Sequence, residues 1–317
     1  MTNKALFDRW IAVDWSASAV PKSGPDSIWI ADCDGDGDRA TTDNPRTRLE
    51  AMDLLLEHID EAATKQQRLL IGFDFPFGYP AGSTWLFDGR NNQDWRGVWD
   101  HLGRAIEDGP KNRNNRFDVA KALNARQGPG PGPFWGCPAN RVSEHLAMTR
   151  PKGYGASLPN ERRLVESRVR RAQPTWKLFT TGSVGSQALM GIAALERLRR
   201  ARPGRVSVWP FETGLGPPQA HAGTTVLVEI YPSLIDRAVA ARGDDIKDRA
   251  QVSLLAEAFA RLDREGALDA LFRGPPDGLN AADTRAVVDE EGWILGIGHE
   301  TTLEAAAFAA LNGQANR

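Results

Sequence analysis

The sequence predicts an α/β protein, a mixed sheet flanked by helices. Two short apolar runs, residues 10–14 (WIAVD) and 27–32 (SIWIAD), flank a Pro/Gly turn at residues 21–25. A linker of about a dozen residues is too short for a packed crossover helix, so the pair reads as an antiparallel hairpin. Leu49, Met52, Leu55 or Leu56, Ile59 and Ala63 then recur at helical spacing and lead into residues 69–80, LLIGFDFPFGYP. That run is apolar on both faces, as expected of a strand covered on both sides in a parallel or mixed sheet.

Each element has a local reason. Pro76 lacks a backbone donor and Pro80 suits a central strand poorly, so the 69–74 strand should end near Asp74. Asp74 then has two readings: an acid at the carboxyl end of a buried strand, where open α/β sheets place ligands, or the cap of the following turn. The acidic segment 32–43 (DCDGDGDRATTD) has Asp32, Asp34 and Asp36 at calcium-loop positions and Gly37 at the sixth, but Asp43 stands where the motif needs a glutamate. A strand precedes it instead of a helix, so it is expected to be a surface turn. Residues 39–42 suggest a third short strand, and Asn44 with Pro45 is expected to cap the first helix.

Residues from about 80 to about 180 break this rhythm with GPGPGP at 128–133 and tryptophans at 85, 95, 99, 135 and 176. They read as a large insertion, with a helix expected over 160–171, in a single domain spanning 1–317. Residues 182–187 (GSVGSQ) open an apolar-periodic helix at 188–199. Such a lead-in can hold an anion on free amides, but no P-loop lysine follows, and close packing explains the glycines equally well. Strands are expected at 206–211, broken by Pro210, and at 224–231 (TTVLVEIY), which contains Glu229. A carboxylate buried there needs a partner or a metal, whereas on an edge strand it would face water. Helix 247–264 carries Val252, Leu255, Ala256, Phe259 and Leu262 on one face. Asn280 and Asp283 open another helix, where an acid favours the helix dipole, and residues 290–298 are strand-like.

Composition narrows the chemistry. A net charge of −2 argues against polyanion binding over the whole surface. Two cysteines, Cys33 and Cys137, exclude a disulfide framework and a four-cysteine zinc site. The five histidines are scattered, so oxygen-ligated metal is the form to consider. The N-terminus has no signal-peptide pattern and no apolar run spans a bilayer, which implies a cytoplasmic protein. Residues 141–205 hold fourteen Arg/Lys against four acids, a surplus of ten. With aromatics interleaved, this region reads either as a nucleic-acid or phosphate surface or as a solvated arginine face.

Asp14, Asp74 and Glu229 lie at or near strand ends, and Asp283 near a helix start. If the strands ending at Asp14 and Asp74 are parallel neighbours, their backbones sit about 4.8 Å apart. Two acids so close repel, and Mg²⁺ or Mn²⁺ is the natural neutraliser; a pair of such ions about 4 Å apart serves phosphodiester cleavage. The hairpin, helix and parallel strand with acids resemble the ribonuclease H-like fold. AVDWSAS, IGFDFPFGYP, GSVGSQAL, VEIYPS and Asp283 followed by EEGWILG are similar to the predicted ribonuclease H-like nuclease family known as domain of unknown function 429. That resemblance implies that Asp14, Asp74 and Asp283 match the metal-binding acids, with Glu229 a further candidate. Ribonuclease H itself has a glutamate on the helix after its third strand, and spacing singles out neither Glu50 nor Glu57 for that role. The expected function is a metal-dependent nuclease with a two-metal carboxylate site. An ATP-dependent phosphotransferase of the actin and hexokinase type, with Asp74 as base and Ser16 and Ser18 facing phosphate, is the alternative. So is a non-catalytic binding protein on the same fold.

Overall fold

The computed structural model describes residues 5–35, 39–89, 94–169 and 171–315. Six strands form one mixed sheet: β1 (Arg9–Asp14), β2 (Trp29–Asp34), β3 (Thr41–Asp43), β4 (Leu69–Phe73), β5 (Val206–Val208) and β6 (Thr225–Glu229). Their order is β3-β2-β1-β4-β6-β5. The β1–β2 and β2–β3 pairs are antiparallel, as the short connections require, and β1–β4, β4–β6 and β5–β6 are parallel.

The helices are α1 (Arg48–Thr64), α2 (Trp85–Asp88), α3 (Trp95–Ala105), α4 (Arg116–Arg126), α5 (Leu164–Arg168), α6 (Gly185–Ala201), α7 (Asp236–Arg242), α8 (Lys247–Arg264), α9 (Leu268–Leu271), α10 (Ala281–Ala286) and α11 (Glu300–Ala315). Alternation along the strands assigns each residue to one of two cores. Ile11, Val13, Leu69, Ile71 and Phe73 face one side, packed with Leu55 of α1, Trp99 of α3 and Ile192 of α6. Trp10, Ala12, Leu70, Val226 and Val228 face the other, packed with Leu255 and Phe259 of α8 and Leu303 of α11. Helices cover both faces, which is why β4 is apolar throughout.

The alternation continues past the end of β4. Phe75, Phe77 and Tyr79 enter the same core as Phe73, with Phe73–Phe75 and Phe75–Phe77 ring centroids both 5.6 Å apart. Gly78 lies in this segment because a Cβ there would come within 2.2 Å of the Glu290 carbonyl oxygen. Helix α8 covers the span expected from its periodicity.

Several local expectations change. Helix α1 is capped by Thr47, whose hydroxyl accepts from the Glu50 amide, and not by Asn44. Asn44 instead ties the β1–β2 turn, accepting from Gly24 N and donating to the Ile28 carbonyl. The third strand sits at Thr41–Asp43, and the 160–171 helix shrinks to Leu164–Arg168. Residues 290–298 contribute only a single bridge, Glu229 to Ile294, following a π-helical turn at Val287–Glu291. Asp36 and Gly37 of the acidic segment lie outside the described residues, while Asp32 is engaged by Arg9 through Nε at 2.8 Å.

Strand β6 lies inside the sheet between β4 and β5, so Glu229 is buried and does not face water. Its cost is met by Arg163, also fully buried. Arg163 Nη2 donates to Glu229 Oε1 at 2.6 Å, Nη1 to Oε2 at 2.8 Å and to the Glu291 carbonyl at 2.7 Å, and Nε to Glu166 Oε1 at 2.8 Å. Phe77 N completes Glu229 Oε2 at 3.0 Å. One guanidinium thereby joins residues preceding α5, the end of β6 and the turn before residue 292. Arg163→Met, which leaves two carboxylates buried without a cation, is expected to cost about 3–5 kcal/mol in urea unfolding. A loss under about 1 kcal/mol would show that the hub is not what holds these segments together.

Candidate functional site

Strand register brings Asp14 and Asp74 together. β1 and β4 pair in parallel with Val13 opposite Phe73, so the next residue on each chain is an acid. The Asp74 amide donates to the Val13 carbonyl at 3.2 Å, and the Trp15 amide to Asp74 Oδ1 at 2.7 Å. Asp74 therefore does hold a backbone amide, but that of the neighbouring strand and not of its own turn. Both acids are half-buried on a cavity of about 400 Å³.

Two carboxylates so placed disfavour each other's charged form. Burial, then the Asp74 charge, raises the Asp14 carboxyl well above the usual range. Burial raises Asp74 to about 7 against the backbone amides that hold its charged form, with Asp248 adding repulsion. No Lys or Arg of the described residues forms an ion pair with either acid.

Asp248 is one of two cavity acids, with Asp26, that the sequence reading missed. It stands in the first turn of α8, lines the same cavity, and its Oδ2 accepts from the Asp26 amide at 2.6 Å. An acid in a helix's first turn is ordinary, so nothing local marked it. Helix α8 crosses β1 and β2, and that packing delivers its N-terminus to the strand ends. The cavity is completed by Ser16 and Ser18 after β1, Arg116 at the start of α4, and Ser183, Ser186 and Gln187 around the start of α6.

The other two expected acids are elsewhere. Glu229 lines an adjoining cleft of about 170 Å³ that shares Asp74 and Gln187 with the cavity. Burial raises its carboxyl, but both its oxygens are taken by Arg163, so it acts as a structural counter-ion. Asp283 is half-exposed on α10, where its amide and Oδ2 are held by the Asn280 side chain, and it does not line the cavity.

The loops around the acids are fixed from behind. Arg48, fully buried at the start of α1, donates to the Ser16 carbonyl at 3.0 Å and the Ser18 carbonyl at 2.7 Å, and forms a two-pronged pair with Asp108. Gln187 Nε2 donates to the Trp15 carbonyl at 2.6 Å. Gly185 of GSVGSQ is a packing residue, since a Cβ there would lie 2.4 Å from the Thr175 carbonyl oxygen.

The chain resembles nothing it was compared with. No family model matches it, and neither a curated protein nor a solved structure does. The assignment of chemistry therefore rests on the geometry.

Several basic residues of 141–205 are paired with acids from elsewhere in the chain. Arg141 pairs with Asp118, Arg168 with Asp277, Arg171 with Asp236, Arg200 with Asp100, and Arg202 with Asp60. Acids from outside the stretch thus offset part of its surplus. Among the described residues no helix is long and apolar enough to cross a membrane.

A divalent cation suits the acid pair: the donors are all oxygen, the charges are alike, and no basic side chain neutralises them. Among the described residues no group of three or more His, Cys, Asp or Glu is already drawn in to ligand distances.

Without a cation, the folded state holds a proton on Asp74 that the unfolded chain releases near pH 4. This contribution favours the native state below about pH 4 and is lost as pH rises to about 7. In EDTA, the Tm of Asp74→Asn relative to wild type is expected to rise between about pH 5 and about pH 8. A difference that is flat or falls with pH would refute the raised Asp74 carboxyl.

Proposed function

We propose that this protein is a divalent-cation-dependent nuclease on a ribonuclease H-like fold, hydrolysing phosphodiester bonds at the Asp14–Asp74 pair. The observation that carries this reading is the half-buried pair itself, two acids on adjacent strand ends with raised carboxyls and no basic partner among the described residues, opening on a cavity that also holds Asp248. The strand order supports it: an antiparallel β1–β2–β3 meander followed by β4 parallel to β1 is the arrangement expected of that fold. Residues 80–180 are then an insertion in that fold.

In this reading Asp14 and Asp74 hold Mg²⁺ or Mn²⁺, with Asp248 replacing Asp283 as the third acid. The ion, when bound, supplies an activated water and stabilises the leaving oxygen. The chain's own part is positional. Trp15 N keeps Asp74 oriented toward Asp14, Gln187 and Arg48 fix the loop that follows β1, and Asp26 N fixes Asp248. Neither Glu229 nor the basic stretch at 141–205 as a block is needed.

Single- and double-stranded DNA, RNA and hybrid oligonucleotides with Mn²⁺ or Mg²⁺ provide the test. Cleavage is expected to require the cation. Asp14→Asn and Asp74→Asn should each lower it at least about 100-fold and Asp248→Asn about 10-fold, while Asp283→Asn leaves it unchanged. Absence of cation-dependent cleavage, or full activity in Asp74→Asn, would sink the proposal.

A further inference from the structure

Among the described residues the buried arginines each pair with carboxylates: Arg9 with Asp32, Arg48 with Asp108, and Arg163 with Glu229. Arg116 breaks that pattern. It lines the cavity with Asp14, Asp26, Asp74 and Asp248, yet forms no ion pair among the described residues. Its Nε donates to Ser186 Oγ at 2.9 Å and its Nη1 to Asn114 Oδ1 at 2.7 Å, both neutral acceptors. Ser186 in turn donates to the Leu178 carbonyl at 2.6 Å, which turns a lone pair toward the guanidinium. The guanidinium carbon sits 4.5 Å from the Phe117 ring centroid. The side chain is thus held by α4, α6 and its own neighbour, while Nη2, with two N–H groups, has no protein acceptor among the described residues.

A cation that is half-buried and unpaired is costly unless a ligand completes it. Burial and the like charges of Arg48 and Arg141 lower its pKa to about 10, so it stays cationic at neutral pH. Arg116 supplies positive charge to the cavity lining and Asp14, Asp26, Asp74 and Asp248 are its acids, the two poles of the site. A ligand joining the poles carries a negative group for Arg116, and the planar fork of the guanidinium fits the oxygens of a phosphate.

We infer that Arg116 is the anion-binding residue of this cavity and takes one phosphate group of the ligand on Nη2 and the open side of its fork. The inference rests on the phosphodiester reading for its choice of phosphate, but phosphate binding itself needs neither the cation nor turnover. The same chemistry is offered by the end of a nucleic-acid strand and by a free nucleotide.

Calorimetric titration with inorganic phosphate in EDTA tests it directly. Wild type is expected to bind, Arg116→Met to bind at least about tenfold more weakly, and Arg116→Lys, which keeps the charge without the fork, to fall between them. Thermal melts of both variants establish that they are folded; because Arg116→Lys keeps the charge, its intermediate affinity separates anion binding from a purely structural role. If these hold and no substrate is cleaved, the subsite stands and the nuclease reading falls. If cleavage occurs with the KM of Arg116→Met unchanged, the nuclease reading stands and the subsite falls. A 5′-phosphorylated dinucleotide and a nucleoside monophosphate, each against its unphosphorylated form, distinguish the two sources; a phosphate-dependent gain lost in Arg116→Met supports the subsite with either. No phosphate binding by wild type, or equal binding by a folded Arg116→Met, overturns it.

Discussion

Two carboxylates at the ends of adjacent parallel strands cannot both be charged and half-buried without a neutralising partner. Burial raises both carboxyls, which favours their protonated forms, and Asp74 accepts a backbone amide from the residue after Asp14. The arrangement follows from a single register, Val13 opposite Phe73, and a one-residue slip of β4 would exchange its two faces and break both cores. The same hydrophobic alternation that builds the sheet therefore fixes the distance between the acids, and the site is as stable as the cores on either side of it.

Around that pair, the chain uses its charges in two distinct ways. Arg48 and Arg163 are buried and saturated, one pinning the loop after β1 and the other joining β6 to segments far apart in sequence. They act as fasteners, and breaking either would expose unpaired charge in a low-dielectric interior. Arg116 and the acids of the cavity are the reverse, groups whose protein partners leave bonding capacity open. Separation of saturated from unsaturated charge is what marks the cavity as a place for a ligand, more than its volume does.

The frame of the fold was legible because its signals are local. The hairpin, the Leu69–Phe73 strand and the Lys247–Arg264 helix each announce themselves by period and by turn residues, and all three are present. Asp14 and Asp74 were legible for the same reason, since a strand run that ends in an acid before a turn has few places to put it. Glu229 was rightly suspect as a charge in an apolar run, but its answer, Arg163, lies 66 residues away. Segments such as residues 290–298 looked strand-like and form a single bridge, because propensity does not create a neighbouring strand.

The sequence by itself determined the hairpin, the Leu69–Phe73 strand and the Lys247–Arg264 helix, and that two of the strand runs end in an acid. Only the tertiary structure decided which other charges meet them. Asp248 joins the cavity and Asp283 does not, though both sit in the first turn of a helix, because α8 packs across β1 and β2. The arginines of residues 141–205 became ion pairs with distant acids for the same reason. Periodicity and turn chemistry act over a few residues; the meeting of charges depends on how whole elements pack.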